Sequence, residues 1–186
     1  RLLSTFFRTE YNHAGKYIVS GILRRDGSSK FGPNSRYGLF PTISGAWVVS
    51  DESFWTLRKV KSLKIRSSFG VSGNDQIDNF AYRGMLNGEG VYVFNDIITQ
   101  GVAIGRASNP DLKWETTQQF NLGVDAELGE SFTAAFNFFV KNTKDLLFQP
   151  DVSALMGTAG PGSYPPIINA GNVHNRGLEL ELGYSK

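Results

Sequence analysis

Residues Thr116 to Leu128 read TTQQFNLGVDAEL, and the two parities of this stretch are chemically unlike. Thr116, Gln118, Phe120, Leu122, Val124, Ala126 and Leu128 share one parity, and five of these seven are apolar. Thr117, Gln119, Asn121, Gly123, Asp125 and Glu127 share the other, which carries no apolar side chain. Successive side chains of a strand point to opposite faces, so the stretch predicts a ribbon with one oily and one wet face. It runs for about a dozen residues, roughly twice the usual globular strand. Tilted at about 45°, such a strand rises about 25–30 Å, the height of a bilayer's apolar band.

The pattern recurs along the chain. Leu63, Ile65, Ser67, Phe69 and Val71 alternate with Lys64, Arg66, Ser68, Gly70 and Ser72. Leu178, Leu180, Leu182 and Tyr184 alternate with Gly177, Glu179, Glu181 and Gly183. Phe132, Ala134, Phe136, Phe138 and Val140 alternate with Thr133, Ala135, Asn137, Phe139 and Lys141, where Phe139 breaks the polar side. Leu3 to Tyr11 and Tyr17 to Arg25 are strand-like in composition but mixed in pattern. Arg36 to Val49 places Leu39, Ile43, Trp47 and Val49 on one parity, together with Pro41, which costs a ladder hydrogen bond. The fold class expected is all-β, with about seven long antiparallel strands.

Composition is consistent with this reading. Hydrophobic residues make up 40% of the 186 residues, and mean hydropathy is −0.23. No run approaches the eighteen or so apolar residues of a membrane helix. Barrel strands escape that test, because only one parity of each meets lipid. The 14 Phe, seven Tyr, three Trp and 21 Gly suit long strands, aromatic girdles and irregular loops. A net charge of +2 from dispersed basic residues, clustered only at Arg24-Arg25 and at Arg58-Lys59-Lys61, argues against a nucleic-acid partner. The absence of cysteine removes disulfides, thiol chemistry and Cys-ligated zinc.

The connections alternate in length. His13 to Lys16 and Gly129 to Ser131 are tight turns, and Ser50 to Lys61 is a turn with a short helical stretch. Longer loops begin at Asp26 (DGSSKFGPNS), run from Asn74 to Glu115, and run from Gln149 to Arg176 through GPGSYPP at Gly160 to Pro166. Short turns at the periplasmic end and long loops outside characterise outer-membrane barrels. Closed bacterial barrels take an even strand number of at least eight, and open edges in lipid leave backbone groups unpaired. Residues 1–186 are therefore expected to be a partial barrel domain, an incomplete segment of a larger transmembrane barrel. The start of the chain shows no initiator Met and no signal peptide, as expected of a processed protein or of an internal piece of a longer chain.

Four blocks are more specific: LRRDGSSKFGPNSRYGLFPTISGAW (Leu23 to Trp47), LKIRSSFGVSGN (Leu63 to Asn74), NPDLKWETTQQFNLGVD (Asn109 to Asp125) and NAGNVHNRGLELEL (Asn169 to Leu182). In this order they resemble the C-terminal barrel region of the SusC/RagA-like TonB-linked outer-membrane transporters, over nearly the whole chain. The resemblance implies a 22-stranded type of barrel with an N-terminal plug and a TonB box, neither of which this stretch contains. It also implies residence in the Gram-negative outer membrane, a SusD-like surface lipoprotein as lid, and TonB-coupled import of oligosaccharides or peptides. Other readings are a soluble β-sandwich carbohydrate-binding module and a porin-like passive channel.

No enzyme is predicted. Glu179 and Glu181 share a face about 7 Å apart, a spacing that suits glycosidic chemistry. Lumen-facing acids of a water-filled barrel are the stronger reading, for them and for Asp125 and Glu127. Lys64 and Arg66 face the same lumen and are expected to pair with such acids. His13 and His174 lie in separate connections with no second ligand at metal spacing, so no zinc site is predicted. Asp75 and Asp78 lack the rest of a calcium loop. No catalytic, cofactor-binding or metal-binding residue is assigned, and no cofactor is expected. The ring of Trp114 is placed at interfacial depth, where loop becomes strand. Phe80, Tyr82, Tyr92, Phe94, Trp114 and Tyr164 are the loop aromatics available to stack on sugars, to contact a lid, or to pack on one another; substrate-binding residues remain unassigned.

Overall fold

The computed structural model describes residues 1–151, 153, 155 and 163–185. Its strands are β1 (Leu2–His13), β2 (Tyr17–Ser28), β3 (Tyr37–Val48), β4 (Val60–Asn74), β5 (Met85–Phe94), β6 (Ile97–Arg106), β7 (Glu115–Leu128), β8 (Phe132–Lys144), β9 (Leu147–Phe148), β10 (Ile168–Asn169) and β11 (Asn172–Tyr184). Seven of them form one antiparallel sheet in the order β1-β2-β3-β4-β7-β8-β11, with strands of 12 to 15 residues. The long ribbons are therefore real and adjacent.

Register keeps like face with like face. Phe120 lies opposite both Phe69 of β4 and Val140 of β8, and Leu122 opposite Phe138, which in turn faces Leu178. On the other face Asn121 lies opposite Ser68, and Asp125 opposite Lys64. A slip of one residue would put every polar side chain on the oily face. The oily face is uncovered. Leu178 and Leu180 are each 68% exposed and Leu182 73%, and all seven long strands lie in the same layer. The soluble sandwich is thereby excluded, because its second sheet would have to cover this face.

Phe139, which breaks the polar parity, lies over Gly177 on the neighbouring strand, where a Cβ would stand 2.7 Å from the ring. Pro41 is accommodated because the β3–β4 ladder ends at Thr42↔Gly70, one residue short of it, while pairing with β2 continues to Gly27↔Tyr37. Asp26-Gly27 and Gly73-Asn74 lie within the last three residues of β2 and β4, and their glycines make room for rings. A Cβ on Gly27 would stand 2.5 Å from Tyr37, and one on Gly73 would overlap Phe40.

Two loops are more ordered than expected. The Asn74 to Glu115 segment contains a separate two-stranded sheet, β5–β6, turning at Asn95 and Asp96 with φ of 50° and 61°. The Gln149 to Arg176 segment yields to β11 at Asn172, and β10 pairs with β9; the Gly160 to Gly162 part of its Pro/Gly-rich stretch lies outside the described residues. The turn after β3 holds the expected helical stretch, one 3₁₀ turn at Val49–Asp51. An arginine replacing Leu122 would stand at mid-height on the oily face, and we expect Leu122→Arg to cost about 2–4 kcal/mol of stability in lipid vesicles. Asn121→Arg, one residue away on the wet face, is expected to cost much less; reversible unfolding in vesicles by denaturant reads both.

Candidate functional site

The wet face carries a cross-strand polar network. Arg66 of β4 grips Asp125 of β7 through three contacts, Nε to Oδ2 at 3.0 Å and to Oδ1 at 3.3 Å and Nη2 to Oδ1 at 3.2 Å, and donates to Asn137 Oδ1 on β8. It reaches across β7 because Gly123 lies beneath it; a Cβ there would stand 2.8 Å from both Arg66 Cζ and Asn137 Oδ1. Gln119 donates to Asn121 at 2.9 Å, and Asn121 donates to Ser68 at 3.0 Å. Thr117 pairs with Thr143 at 3.0 Å, and Ser20 with Ser44 at 2.7 Å. A shallow cavity of about 390 Å³ opens above this network, bounded also by Phe139, Lys141 and Glu179. Arg66, rather than the directly facing Lys64, takes Asp125 among the described residues.

The second feature is a knot of packed loops at the long-loop end. Phe31 and Leu112 are fully buried, and Phe40, Ala81, Trp114 and Ile167 close around them. Trp114 sits 5.0 Å from Phe31 and 5.4 Å from Phe40 between ring centroids, and its indole donates to the Arg36 carbonyl at 3.3 Å. It is thus buried among loops rather than placed at a lipid interface, since the knot offers both rings and a partner for its N–H. Asn169 ties three connections: its amide donates to the Lys113 and Asp145 carbonyls and accepts from the Lys113 N–H, at 2.8–2.9 Å. Asn109 donates to the Ile167 carbonyl at 2.9 Å. All four sequence blocks named above send residues here, or to the Asn74–Glu115 contact beside it.

The acids and histidines serve as struts. Asp75 accepts from Ser28 at 2.8 Å, and Asp78 pairs with the buried Arg106 at 2.9 Å. His13 lies between the rings of Tyr11 and Tyr17, at 6.2 and 6.3 Å, and His174 contacts Asn142. Glu179 and Glu181 stand exposed on β11, facing the wet side with Glu127 exposed near the short turns. The loop aromatics divide. Trp114 and Tyr82 belong to the knot, whereas Tyr92 (71% exposed), Phe94 (64%), Phe80 (51%) and Tyr164 (53%) are open to a partner or ligand. The β5–β6 hairpin that carries Tyr92 and Phe94 went unread in the sequence. Its signal was Asn95-Asp96 between Val91-Tyr92-Val93-Phe94 and Ile97-Ile98-Thr99, a two-residue turn flanked by β-formers.

At the short-turn end, rings gather on the oily face. Tyr17 stacks on Trp47 at 6.4 Å, and Trp47 meets Phe54 at 6.5 Å. Glu52 accepts from the Tyr17 hydroxyl, from the Trp47 indole at 3.1 Å and from Lys16 at 3.5 Å. The Tyr17 hydrogen bond, then that of Trp47, holds the Glu52 carboxyl below the usual carboxylate range. With a depressed folded pKa, the clasp's contribution is complete above the unfolded value of about 4.3 and is lost as pH falls through the folded one. The stability difference between wild type and Glu52→Gln is therefore expected to be full at neutral pH and to vanish on acidification. Gly123→Val should displace Arg66 and cost about 1–3 kcal/mol, read as a lowered denaturant midpoint.

The geometry can be set beside known proteins. The family described as "TonB dependent receptor-like, beta-barrel" matches residues 3–185. TonB-dependent receptor P26 of Formosa agariphila is 36% identical over 185 residues, which is 98% of this chain and 18% of the relative. TonB-dependent receptor SusC of Bacteroides thetaiotaomicron is 31% identical over 187 residues, 97% of this chain and 18% of the relative. Among solved structures, the RagAB peptide importer in its "closed-closed" state superposes with a TM-score of 0.84 at 27% identity, over 97% of this chain and 19% of that one. The chain thus spans under a fifth of the length of these relatives. A single long-stranded sheet, oily on one face and hydrogen-bonded on the other, is part of such a barrel wall: this chain belongs to the TonB-dependent receptor β-barrel family.

Proposed function

We propose that this chain is a stretch of barrel wall in an outer-membrane importer of the SusC/RagA type, taking up oligosaccharides or peptides with energy relayed from TonB. The observation that carries this reading is the match over 97% of the chain to both SusC and the RagAB peptide importer. On this reading the oily face meets outer-membrane lipid, the Arg66–Asp125–Asn137 network lines the lumen, and the knotted loops form part of the outer mouth. Plug, TonB box and remaining strands belong to parts of the protein outside residues 1–186, and β1 and β11 pair with those strands. A SusD-like lipoprotein covers the mouth, with the exposed Tyr92 and Phe94 rings within its reach. The role is transport and binding; the residues act as wall and gate and transform nothing.

The test is uptake. Cells carrying the full-length gene are given fluorescent oligosaccharides and peptides of a size that porins exclude, with and without an active TonB. The expected result is TonB-dependent accumulation of members of one of the two classes. Uptake that persists unchanged without TonB, or no uptake of either class, would contradict the proposal.

A further inference from the structure

Of the two basic clusters, Arg24-Arg25 is engaged with Asp26 and the Tyr37 ring, whereas Arg58-Lys59-Lys61 has no part in the wall network or in the loop knot. Arg58 and Lys59 sit in the connection between β3 and β4, and Lys61 is the second residue of β4, at the short-turn end. That connection is a built structure. Consecutive turns run from Glu52 N to Val49 O, Trp55 N to Glu52 O and Val60 N to Leu57 O, at 3.0–3.2 Å. The Trp55 indole donates to the Val60 carbonyl at 3.2 Å, and Gly129 N donates to the Lys59 carbonyl at 3.0 Å. Apolar side chains lie beside the cations: Phe54 is 62% exposed and Leu57 58%. Phe54 adjoins Trp47, which lies on the oily face, so the connection stands at the rim of that face. Lys61 is left out of the β4–β7 ladder, at the register shift between Val60 and Ser62. Arg58, Lys59 and Lys61 are all exposed, and among the described residues none of the three forms an ion pair.

We infer that Arg58, Lys59 and Lys61 bind the phosphodiester headgroup of an anionic phospholipid in the periplasmic leaflet, while Phe54 and Leu57 contact its acyl chains. This rests on the membrane reading proposed above. Unpaired cations at an interfacial rim gain from an anionic surface, by roughly fivefold in affinity per cation. The adjoining apolar side chains select a lipid over a free anion, since they have no role in holding inorganic phosphate.

The full-length protein in nanodiscs of equal parts phosphatidylglycerol and phosphatidylcholine supplies the test, with the lipids it retains counted by native mass spectrometry. Wild type is expected to retain phosphatidylglycerol preferentially, and the R58A/K59A/K61A variant to lose at least about tenfold of that preference. Heat-modifiable gel mobility checks that the variant is folded; the charge-conserving Arg58→Lys variant is expected to keep the preference. Unchanged retention in the folded triple variant, absence of preference in wild type, or displacement of the lipid by equimolar inorganic phosphate would each overturn the inference. Unchanged retention with lowered uptake would assign the cluster to a protein partner instead. Failure of wild type to enter nanodiscs would sink the membrane reading itself, an outcome distinct from loss of lipid preference alone.

Discussion

Everything in this sheet depends on the side-chain period of two being held in register across seven strands. β4, β7, β8 and β11 each supply an oily and a polar row, and the ladders place row beside row, so that Phe69, Phe120, Val140 and their neighbours make one continuous apolar surface. In lipid this arrangement is self-consistent, because strand–strand pairing satisfies the backbone while the outward side chains need no partner. In water the same face would be a large exposed apolar patch.

Packing differs between the two parts of the molecule. Along the seven long strands the described residues bury little, and the ladders and the polar network around Arg66 hold them together. The buried core lies at the long-loop end, where Phe40 of β3 packs with the loop residues Phe31, Leu112 and Trp114 as in the interior of a soluble domain. Glycine mediates both regimes. Gly123 lets a guanidinium lie across a strand, and Gly73 and Gly38 leave room for the Phe40 ring. In each case the absent Cβ is the space that a larger neighbour uses.

The wall was legible in the sequence and the loops much less so. Alternation is a local property, so the clean ribbons from Leu63, Thr116, Phe132 and Gly177 could be read directly, and so could the count of seven. Packing among loops is non-local. Nothing near Trp114 in sequence shows that Phe31 and Phe40 will meet it, and its placement at a lipid interface followed a rule that the knot overrides. Arg66 was expected to pair with a lumenal acid and does, but the crossing over Gly123 needs the register of three strands to be known. The β5–β6 hairpin was missed for a simpler reason: its turn signal lay inside a segment already read as loop. Alternation carries no information on ligand contacts, and the exposure of the Tyr92 and Phe94 rings follows from the hairpin rather than from a ribbon pattern.

A cysteine scan from Thr116 to Leu128 in the full-length protein, reconstituted in vesicles, tests the account most directly, and this segment has no native cysteine to interfere. Spin labels at successive positions report collision with lipid-soluble oxygen and with a water-soluble nickel chelate. The account predicts a strict alternation, with Phe120, Leu122, Val124 and Ala126 positions in lipid, and Gln119, Asn121 and Asp125 positions in water. Equal water accessibility on both parities would contradict it.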